Sequence, residues 1–257
     1  MELNREQLHE FLDERVRQYN TTDFIEKDPI RIPHMYSGKE DIEISGFLAA
    51  TISWGNRTTI IRSGMRMMEL MGNSPYDFVM NHRDEHLKKI DGFVHRTFNS
   101  TDLQTFILAL KNLYLSMNGL EGIFTDHKTA ESIQPAIHKL KEVFFTVPHL
   151  QRTRKHLPDP YSGSAAKKIN MYLRWMIRND NCGVDFGIWK NISPSILSCP
   201  LDIHSGNVAR KLGLLKRKQN DSKAVKELDV RLRQLDKDDP VKYDYALFGL
   251  GIYEKLR

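Results

Sequence analysis

The sequence predicts an all-α protein, because apolar residues recur at helical spacing through most of the chain. Turn-forming and capping residues separate these periodic stretches, as is typical of helix ends. Few stretches alternate apolar and polar residues for long enough to predict strands. No low-complexity linker and no internal repeat divides the 257 residues. We therefore predict one helical domain over residues 1–257, with sub-lobes inside it.

Three periodic stretches predict the helices of the first part of the chain. The first carries one apolar stripe, formed by Leu8, Phe11, Leu12, Val16 and Tyr19. The second, residues 44–54, is largely apolar and is broken by Gly55-Asn56. The third contains Ile60, Ile61, Met65, Met68 and Met71 and stops at Gly72. At this spacing we expect the methionines to fill the core rather than to form an adaptable binding surface.

Capping residues indicate where the later helices begin and end. Ser100-Thr101-Asp102 is expected to cap a helix that Asn118-Gly119 closes. A further helix is expected over residues 129–145. Near the C-terminus, Ser222 is expected to cap one helix, and Asp239-Pro240 to open the last one.

The net charge of +5 is modest, but the charges are unevenly distributed. Residues 1–45 hold six Lys/Arg against eleven Asp/Glu, whereas residues 138–218 hold fifteen against five. The basic residues of the second segment include Arg152, Arg154, Lys155, Lys167, Lys168, Arg174, Arg178, Arg210, Lys211, Lys216, Arg217 and Lys218. Such a cluster suits a phosphate backbone, although solvated helix faces give the same pattern.

The sequence lacks the signals of secretion, membrane insertion and metal clusters. Its N-terminus, MELNREQLHEFLDERV, has no apolar core, and no run of about 18 apolar residues occurs. The two cysteines, Cys182 and Cys199, form no CxxC or Cys/His zinc spacing and cannot supply a four-cysteine iron–sulfur cluster. We therefore predict a cytoplasmic protein without a catalytic metal.

Two segments carry chemical information. Residues 157–164 are a cluster of turn formers that ends in Ser162-Gly163-Ser164, and a predicted helix begins directly after it. A helix that starts after a glycine turn presents unpaired N–H groups, which can bind a phosphate. In the second segment, residues 199–214, Asp202 is the predicted N-cap of a helix. Taken singly, the first segment also fits an ordinary turn and Asp202 an ordinary cap.

Together and in this order, the two segments resemble the helix-hairpin-helix DNA glycosylase and AP lyase superfamily. Gly163 and Lys167 fall at the first glycine and the lysine of the superfamily's hairpin motif, with Ala165 in place of its second glycine. The run Leu201-Asp202-Ile203-His204 resembles the superfamily's (V/L)-D-(T/R)-H-(V/I) element. Ile203 and Ser205 replace its commoner Thr and Val, and the Arg and Leu-Gly pair that follow it correspond to Arg210 and Leu212-Gly213.

Other parts of the chain refine the resemblance. Residues 243–251 are similar to the closing helix of the superfamily. The missing cluster cysteines, and a longer interval between Lys167 and Asp202 than in endonuclease III, resemble the archaeal 8-oxoguanine glycosylase branch. The stretches SGSAAKKINMYLRWMIR, VDFGIW and DDPVKYDYALFGLGI look like those of an uncharacterised bacterial family near that branch.

The resemblance implies two helical lobes flanking a DNA-binding cleft, with the hairpin and catalytic core at residues 157–213. It implies that Lys167 is an amine nucleophile that forms a Schiff base with the sugar, and that Asp202 is its acidic partner. An unperturbed lysine is protonated at neutral pH, so the site has to lower the pKa of the nucleophile. Lys168 is the fallback nucleophile.

The resemblance also implies DNA contacts, which we assign to Ser162, Gly163, Ser164, Lys168, Arg174, His204 and Arg210. Trp54, Asn56 and Arg57 lie at a helix break and are candidates for the base pocket or for filling the gap left by a flipped base. For Trp54 itself, we favour a core position over a base contact. No redox cofactor or metal is required, although the hairpin of the superfamily can hold a structural monovalent cation.

The expected partner is double-stranded DNA with a damaged base or an abasic site, bound by a monomer associated with the nucleoid. The expected reaction is excision of a damaged base, by resemblance an oxidised purine, followed by strand cleavage. Two alternatives stay open. A non-catalytic DNA-binding protein would use Lys167 only as a phosphate contact, and in a helical protein-interaction domain the basic face would be incidental.

Overall fold

The structure, a computed structural model, describes residues 4–256, so the first three residues of the predicted N-terminal region and residue 257 lie outside the described part. The chain divides into two compact units. Unit 1 comprises residues 4–24, 129–134 and 159–256, and unit 2 comprises residues 25–128 and 135–158.

Helices dominate residues 4–256, which confirms the predicted all-α class. In chain order they are α1 (Arg5–Tyr19), α2 (Lys39–Thr51), α3 (Arg57–Leu70), α4 (Pro75–Asn81), α5 (Asp84–Lys88), α6 (Ser100–Ser116), α7 (Gly119–His127), α8 (Gln134–Phe144), α9 (Lys167–Ile177), α10 (Ile203–Lys211), α11 (Ser222–Leu235) and α12 (Tyr243–Ile252). The strands β1 (Val94–His95) and β2 (Phe98–Asn99) form a two-stranded antiparallel sheet, with Val94 opposite Asn99.

Several helices begin later or earlier than predicted: α8 begins at Gln134 and not at residue 129, and α12 begins at Tyr243, after a 3-10 turn over Pro240–Lys242. The observed N-caps explain two further shifts. The N-cap of α6 is Asn99, whose side chain accepts from the N–H of Asp102. The carboxylate of Asp102, at the third helical position, in turn accepts from the N–H of Asn99. The N-cap of α11 is Asp221 and not Ser222, because the Asp221 carboxylate accepts from the N–H groups of Lys223 and Ala224. The carboxylate is the better acceptor at the positive end of a helix.

Unit 1 has a core in which both ends of the chain meet. Helix α12 packs against α1 and against α10. Leu12 and Val16 of α1 join Val208 of α10 and Leu247 of α12 in one apolar cluster. This packing fixes the start of α10, where Asp202 lies, because the helix has a buried face on α12.

Unit 2 has a separate core centred on α2 and α6. Every residue from Ile42 to Thr51 of α2 is buried. Phe106 of α6 contacts Phe47 of α2, Phe98 of β2 and Phe144 of α8, with ring centroids 4.7–6.1 Å apart. Such tilted and edge-on pairs are typical of aromatic cores.

Among residues 4–256, no helix combines the length and the apolar character needed to cross a membrane. The predicted core role of the methionines is confirmed for Met68 and Met71 of the α3 region, which are at most 1% exposed. Met65 lies on the other face of α3 and is half-buried.

Candidate functional site

The turn that precedes α9 in unit 1, residues 159–164, is organised around Asp159. Its carboxylate accepts hydrogen bonds from the N–H of Tyr161 (2.9 Å) and the hydroxyl of Ser162 (3.0 Å). Its carbonyl accepts from the N–H groups of Ser162 and Ser164, each at 3.2 Å. Gly163 has φ +91°, and a Cβ added there would meet nothing within 4 Å, so the turn presents open backbone at the surface.

The turn leads directly into the start of α9. Ala166 adopts a left-handed conformation with φ 48°, and α9 begins at Lys167 without a side-chain cap. The turn is also tied to α11, because the N–H of Ser222 donates to the carbonyl of Gly163 at 3.0 Å. A helix N-terminus that no side chain caps suits an anion such as a phosphate.

The carbonyl oxygens of the turn already serve internal hydrogen bonds. Those of Asp159, Pro160 and Gly163 accept from main-chain N–H groups, and that of Ala165 accepts from the side-chain amide of Asn170. These four oxygens therefore stabilise the turn itself. The structural monovalent cation that the resemblance implies stays a prediction.

The two predicted catalytic residues lie together. The Nζ of Lys167, the first residue of α9, lies 4.0 Å from Oδ2 of Asp202, and each side chain is about 30% exposed. Asp202 is the N-cap of α10, and its Oδ1 accepts from the N–H groups of His204 (2.8 Å) and Ser205 (3.0 Å). Capping therefore occupies one carboxylate oxygen and directs the other towards the amine.

Lys168 differs electrostatically from its neighbour. Its side chain is partly buried. Burial, together with the positive charge of Lys167, lowers the pKa of Lys168 to about 7. A lysine with such a pKa has a substantial unprotonated fraction at neutral pH, as an amine nucleophile needs. The start of α9 thus carries two amines, one beside a carboxylate and one of lowered pKa.

Arg210 supports the main chain at Asp202. Its guanidinium donates to the carbonyl of Arg217 (2.8 Å) and to the amide oxygen of Asn220 (2.6 Å). Asn220 in turn donates to the carbonyl of Asp202 at 2.7 Å. Arg210 therefore acts as a positioning residue in this structure.

Arg174 lies in the interior of unit 1 and not at its surface. This position corrects its predicted role as a DNA contact. Arg174 is 3% exposed. Its guanidinium donates to Asp185 at 3.2 Å, contacts Asp244, and lies 4.1 Å from the ring centre of Tyr245. A buried guanidinium with two carboxylate partners is not available to a phosphate.

Part of the basic segment therefore belongs to the interior of unit 1. Arg178, also 3% exposed, forms ion pairs with Asp180 (2.7 Å), Asp185 (3.1 Å) and Asp239 (2.8 Å). These contacts raise the pKa of Arg178 against the opposing effect of burial. The basic residues of α9 and α10 that keep exposed surface are Lys167, Lys168, Arg210 and Lys211.

The remaining hairpin and α10 candidates have definite positions. Ser162 is exposed and Ser164 half-buried, and the hydroxyl of Ser164 accepts from the N–H of Ala166 at 3.1 Å. His204 is half-buried and lies against α12, where a Cβ added to Gly251 would come within 3.2 Å of the His204 Cβ.

The candidates for base contact belong to unit 2. Trp54 is half-buried, stacks on His156 (centroids 5.9 Å apart) and meets His95 edge-on (5.1 Å). Asn56 is the N-cap of α3 and is exposed, while Arg57 is half-buried at the first position of that helix.

Sequence reasoning missed two residues of the site, Asn220 and Asp244. Burial raises the pKa of Asp244 to about 6 against the effect of Arg174, and the carboxylate interacts electrostatically with both Asp202 and Lys167. The available signal was a single carboxylate within the apolar sequence of α12, which is an unusual place for a charge. Asn220 gave no comparable signal, because it lies in a polar loop.

Comparison with known proteins gives one family. Residues 28–253 match the family described as "Protein of unknown function (DUF2400)". No curated protein and no solved structure gives a match.

Proposed function

The chain belongs to the DUF2400 family, whose function is unknown, and from its own site we propose that it is a DNA glycosylase with AP-lyase activity. The observation that carries the proposal is the 4.0 Å approach of Lys167 Nζ to Asp202 Oδ2 at the starts of two helices. The hairpin turn before α9 supports a helix-hairpin-helix glycosylase fold. The substrate would be double-stranded DNA with a damaged base, an oxidised purine by resemblance.

The proposed reaction needs an amine that attacks C1′ of the damaged nucleotide. Lys167 would supply the electron pair for the new C–N bond, while the glycosidic bond breaks and its electrons leave with the base. The carboxylate of Asp202 would stabilise the positive charge that develops on the sugar and would assist the accompanying proton transfers. The resulting Schiff base then permits cleavage of the bond between C3′ and the phosphate oxygen.

The backbone at the start of α9 would hold the DNA. The Gly163 turn and the uncapped helix N-terminus suit one phosphate, bound without reading the base sequence. Lys168 is the alternative candidate for the nucleophile, because an amine of lowered pKa can also attack the sugar. The experiment must therefore distinguish the two lysines.

Borohydride trapping tests the proposal directly, because the reagent reduces a Schiff base to a stable covalent adduct. Purified protein would be incubated with borohydride and with duplexes carrying an abasic site or 8-oxoguanine. The yield of covalent adduct would be measured from the shifted band on a denaturing gel. We expect an adduct with the wild type, none with Lys167→Ala, and a reduced yield with Asp202→Asn. Lys211→Ala, an exposed lysine on α10, is the matched control and should behave as the wild type.

The other outcomes have definite meanings. Loss of the adduct in Lys168→Ala, with retention in Lys167→Ala, would assign the nucleophile to Lys168. No adduct on any duplex, together with binding that weakens steeply with salt, would identify a non-catalytic DNA-binding protein. Absence of DNA binding would favour a protein-interaction domain.

A further inference from the structure

Unit 2 contains a groove along α3, which we call the α3 groove. It has a volume of about 1040 Å³, and its lining includes residues from Arg57 to Leu70, the two ends of the helix. Fourteen residues of α-helix extend about 20 Å, or nearly four turns. The rest of the lining comes from residues of the segments 26–31 and 91–94.

Two apolar side chains of α3, Ile61 and Met65, lie one turn apart in the lining of the α3 groove, and both are half-buried. Val94, which is also part of the lining, is 62% exposed. We call these three residues the apolar strip. Apolar residues left partly open in a concave surface indicate a binding site, and a methionine among them adapts readily to a partner.

Basic side chains surround this apolar strip. The lining contains the cations Lys27, Arg31, Arg57, Arg62 and Arg66, against the anions Glu26, Glu69 and Asp91. Arg62 and Arg66 are exposed and one turn apart. Arg66 pairs with Glu69 at 3.1 Å, but both side chains are more than half exposed, so a partner's carboxylate can replace Glu69 at little cost.

We propose that the α3 groove binds an acidic amphipathic helix of a partner protein. The apolar face of such a helix would cover Ile61, Met65 and Val94, and its carboxylates would meet Arg62 and Arg66. The length of α3 suits a partner helix of three to four turns. DNA offers negative charge but no apolar groups for this strip, and a lipid surface is too flat to enter a groove. The proposal is independent of the DNA chemistry of unit 1.

The probe would be a fluorescent peptide of about 16 residues, with Leu at alternating spacings of three and four and Glu at most other positions. Its anisotropy would be measured against the full chain at about 50 mM and about 300 mM salt. We expect saturable binding with a Kd on the order of 10 μM, weakened by salt. A scrambled peptide of the same composition should bind at least about ten-fold more weakly, because it forms no apolar face.

Variants assign the binding to the groove. The double variant Arg62→Glu/Arg66→Glu should weaken binding of the amphipathic peptide by about ten-fold or more. Met65→Ser should weaken binding at both salt concentrations, since it removes only apolar contact. Arg83→Glu changes an exposed arginine of unit 2 outside the groove and should alter the Kd less than about two-fold.

Three results would overturn the proposal. They are a lack of saturable peptide binding, equal affinity for the scrambled peptide, and equal affinity of the double variant and the Arg83→Glu control. Displacement of the peptide by a short duplex DNA, with parallel loss of DNA binding in the double variant, would assign the groove to nucleic acid.

Discussion

The side-chain amide of Asn220 connects Arg210 to the main chain of Asp202, donating to the Asp202 carbonyl at 2.7 Å and accepting from Arg210 at 2.6 Å. The amide lies directly over Gly206 of α10, where an added Cβ would come within 2.7 Å of the Asn220 oxygen. A glycine in the second turn of α10 thus makes room for the residue that fixes its N-cap.

Asn220→Ala should lower the free energy of unfolding by about 1–2 kcal/mol, because it leaves the Asp202 carbonyl and the Arg210 guanidinium without this partner. It should also reduce the yield of trapped adduct, since the carboxylate loses its fixed position. Urea unfolding followed by circular dichroism measures the first effect. Asn207→Ala, a half-buried asparagine on α10, is the control; an equal loss of stability in both variants would contradict the bracing role.

Asp202 has a structural and a proposed chemical role, and two substitutions separate them. Asp202→Asn keeps an N-cap acceptor, so its free energy of unfolding should stay close to that of the wild type. Asp202→Ala removes the cap and should cost about 1 kcal/mol. Both should lose most of the adduct yield, because both lack the negative charge beside Lys167. Full activity in Asp202→Asn would show that the carboxylate serves only as a cap.

The lowered pKa of Lys168 makes the stability of the protein depend on pH. Burial holds that pKa near 7, whereas an unfolded lysine has a pKa of 10.5, so the unfolded state binds more protons between these values. The buried charge of Lys168 therefore lowers the free energy of unfolding by its full amount below pH 7, and this effect decreases as the pH rises towards 10.5. Lys168→Met should be more stable than the wild type at pH 7, and the difference should shrink by pH 10.

Chemical unfolding of both proteins at intervals between pH 7 and 10 measures this effect. Asp229 and Asp244, whose pKa values burial raises to about 6, titrate below this range and are unchanged in the variant. A constant difference between the two proteins across the range would contradict the lowered pKa.

Arg174→Met tests the assignment of Arg174 to the interior. The substitution leaves Asp185 and Asp244 in a buried position without their shared guanidinium and should cost about 3–5 kcal/mol in the free energy of unfolding. Lys190→Met, at an exposed position of unit 1, should change stability little. If Arg174→Met unfolded like the wild type but bound DNA more weakly, the original prediction of a phosphate contact would be restored.

The sequence predicted the start of α10 at the Asp202 cap and the start of α9 to within two residues, because local signals determine helix starts. The Gly163 turn and the Asp202 cap act through neighbouring backbone groups, and their positions can be read from a few residues. The proximity of Lys167 to Asp202 was a prediction by resemblance only, since no local rule relates two residues so far apart in the chain.

The burial of Arg174 could not be predicted from such local signals. Arg174 and Lys168 look alike as members of one basic cluster, but the first is neutralised inside the fold by Asp185 and Asp244. Those partners come from distant segments, so only tertiary packing distinguishes a buried guanidinium from a phosphate ligand. The α3 groove could not be predicted for the same reason. Met65 belongs to the same periodic stretch as the buried Met68, and the rest of the groove lining comes from residues 26–31 and 91–94, which are distant in sequence.

The packing of α1 against α12 determines when unit 1 can fold during synthesis on the ribosome. Unit 2 is complete once residue 158 has emerged, whereas α1 has to wait for α12, which is made more than 220 residues later. Synthesis at roughly 5–20 residues per second leaves α1 exposed for several seconds after unit 2 can fold. We expect nascent chains arrested before α12 to hold a protease-resistant unit 2 and a unit 1 that is still open to chaperones.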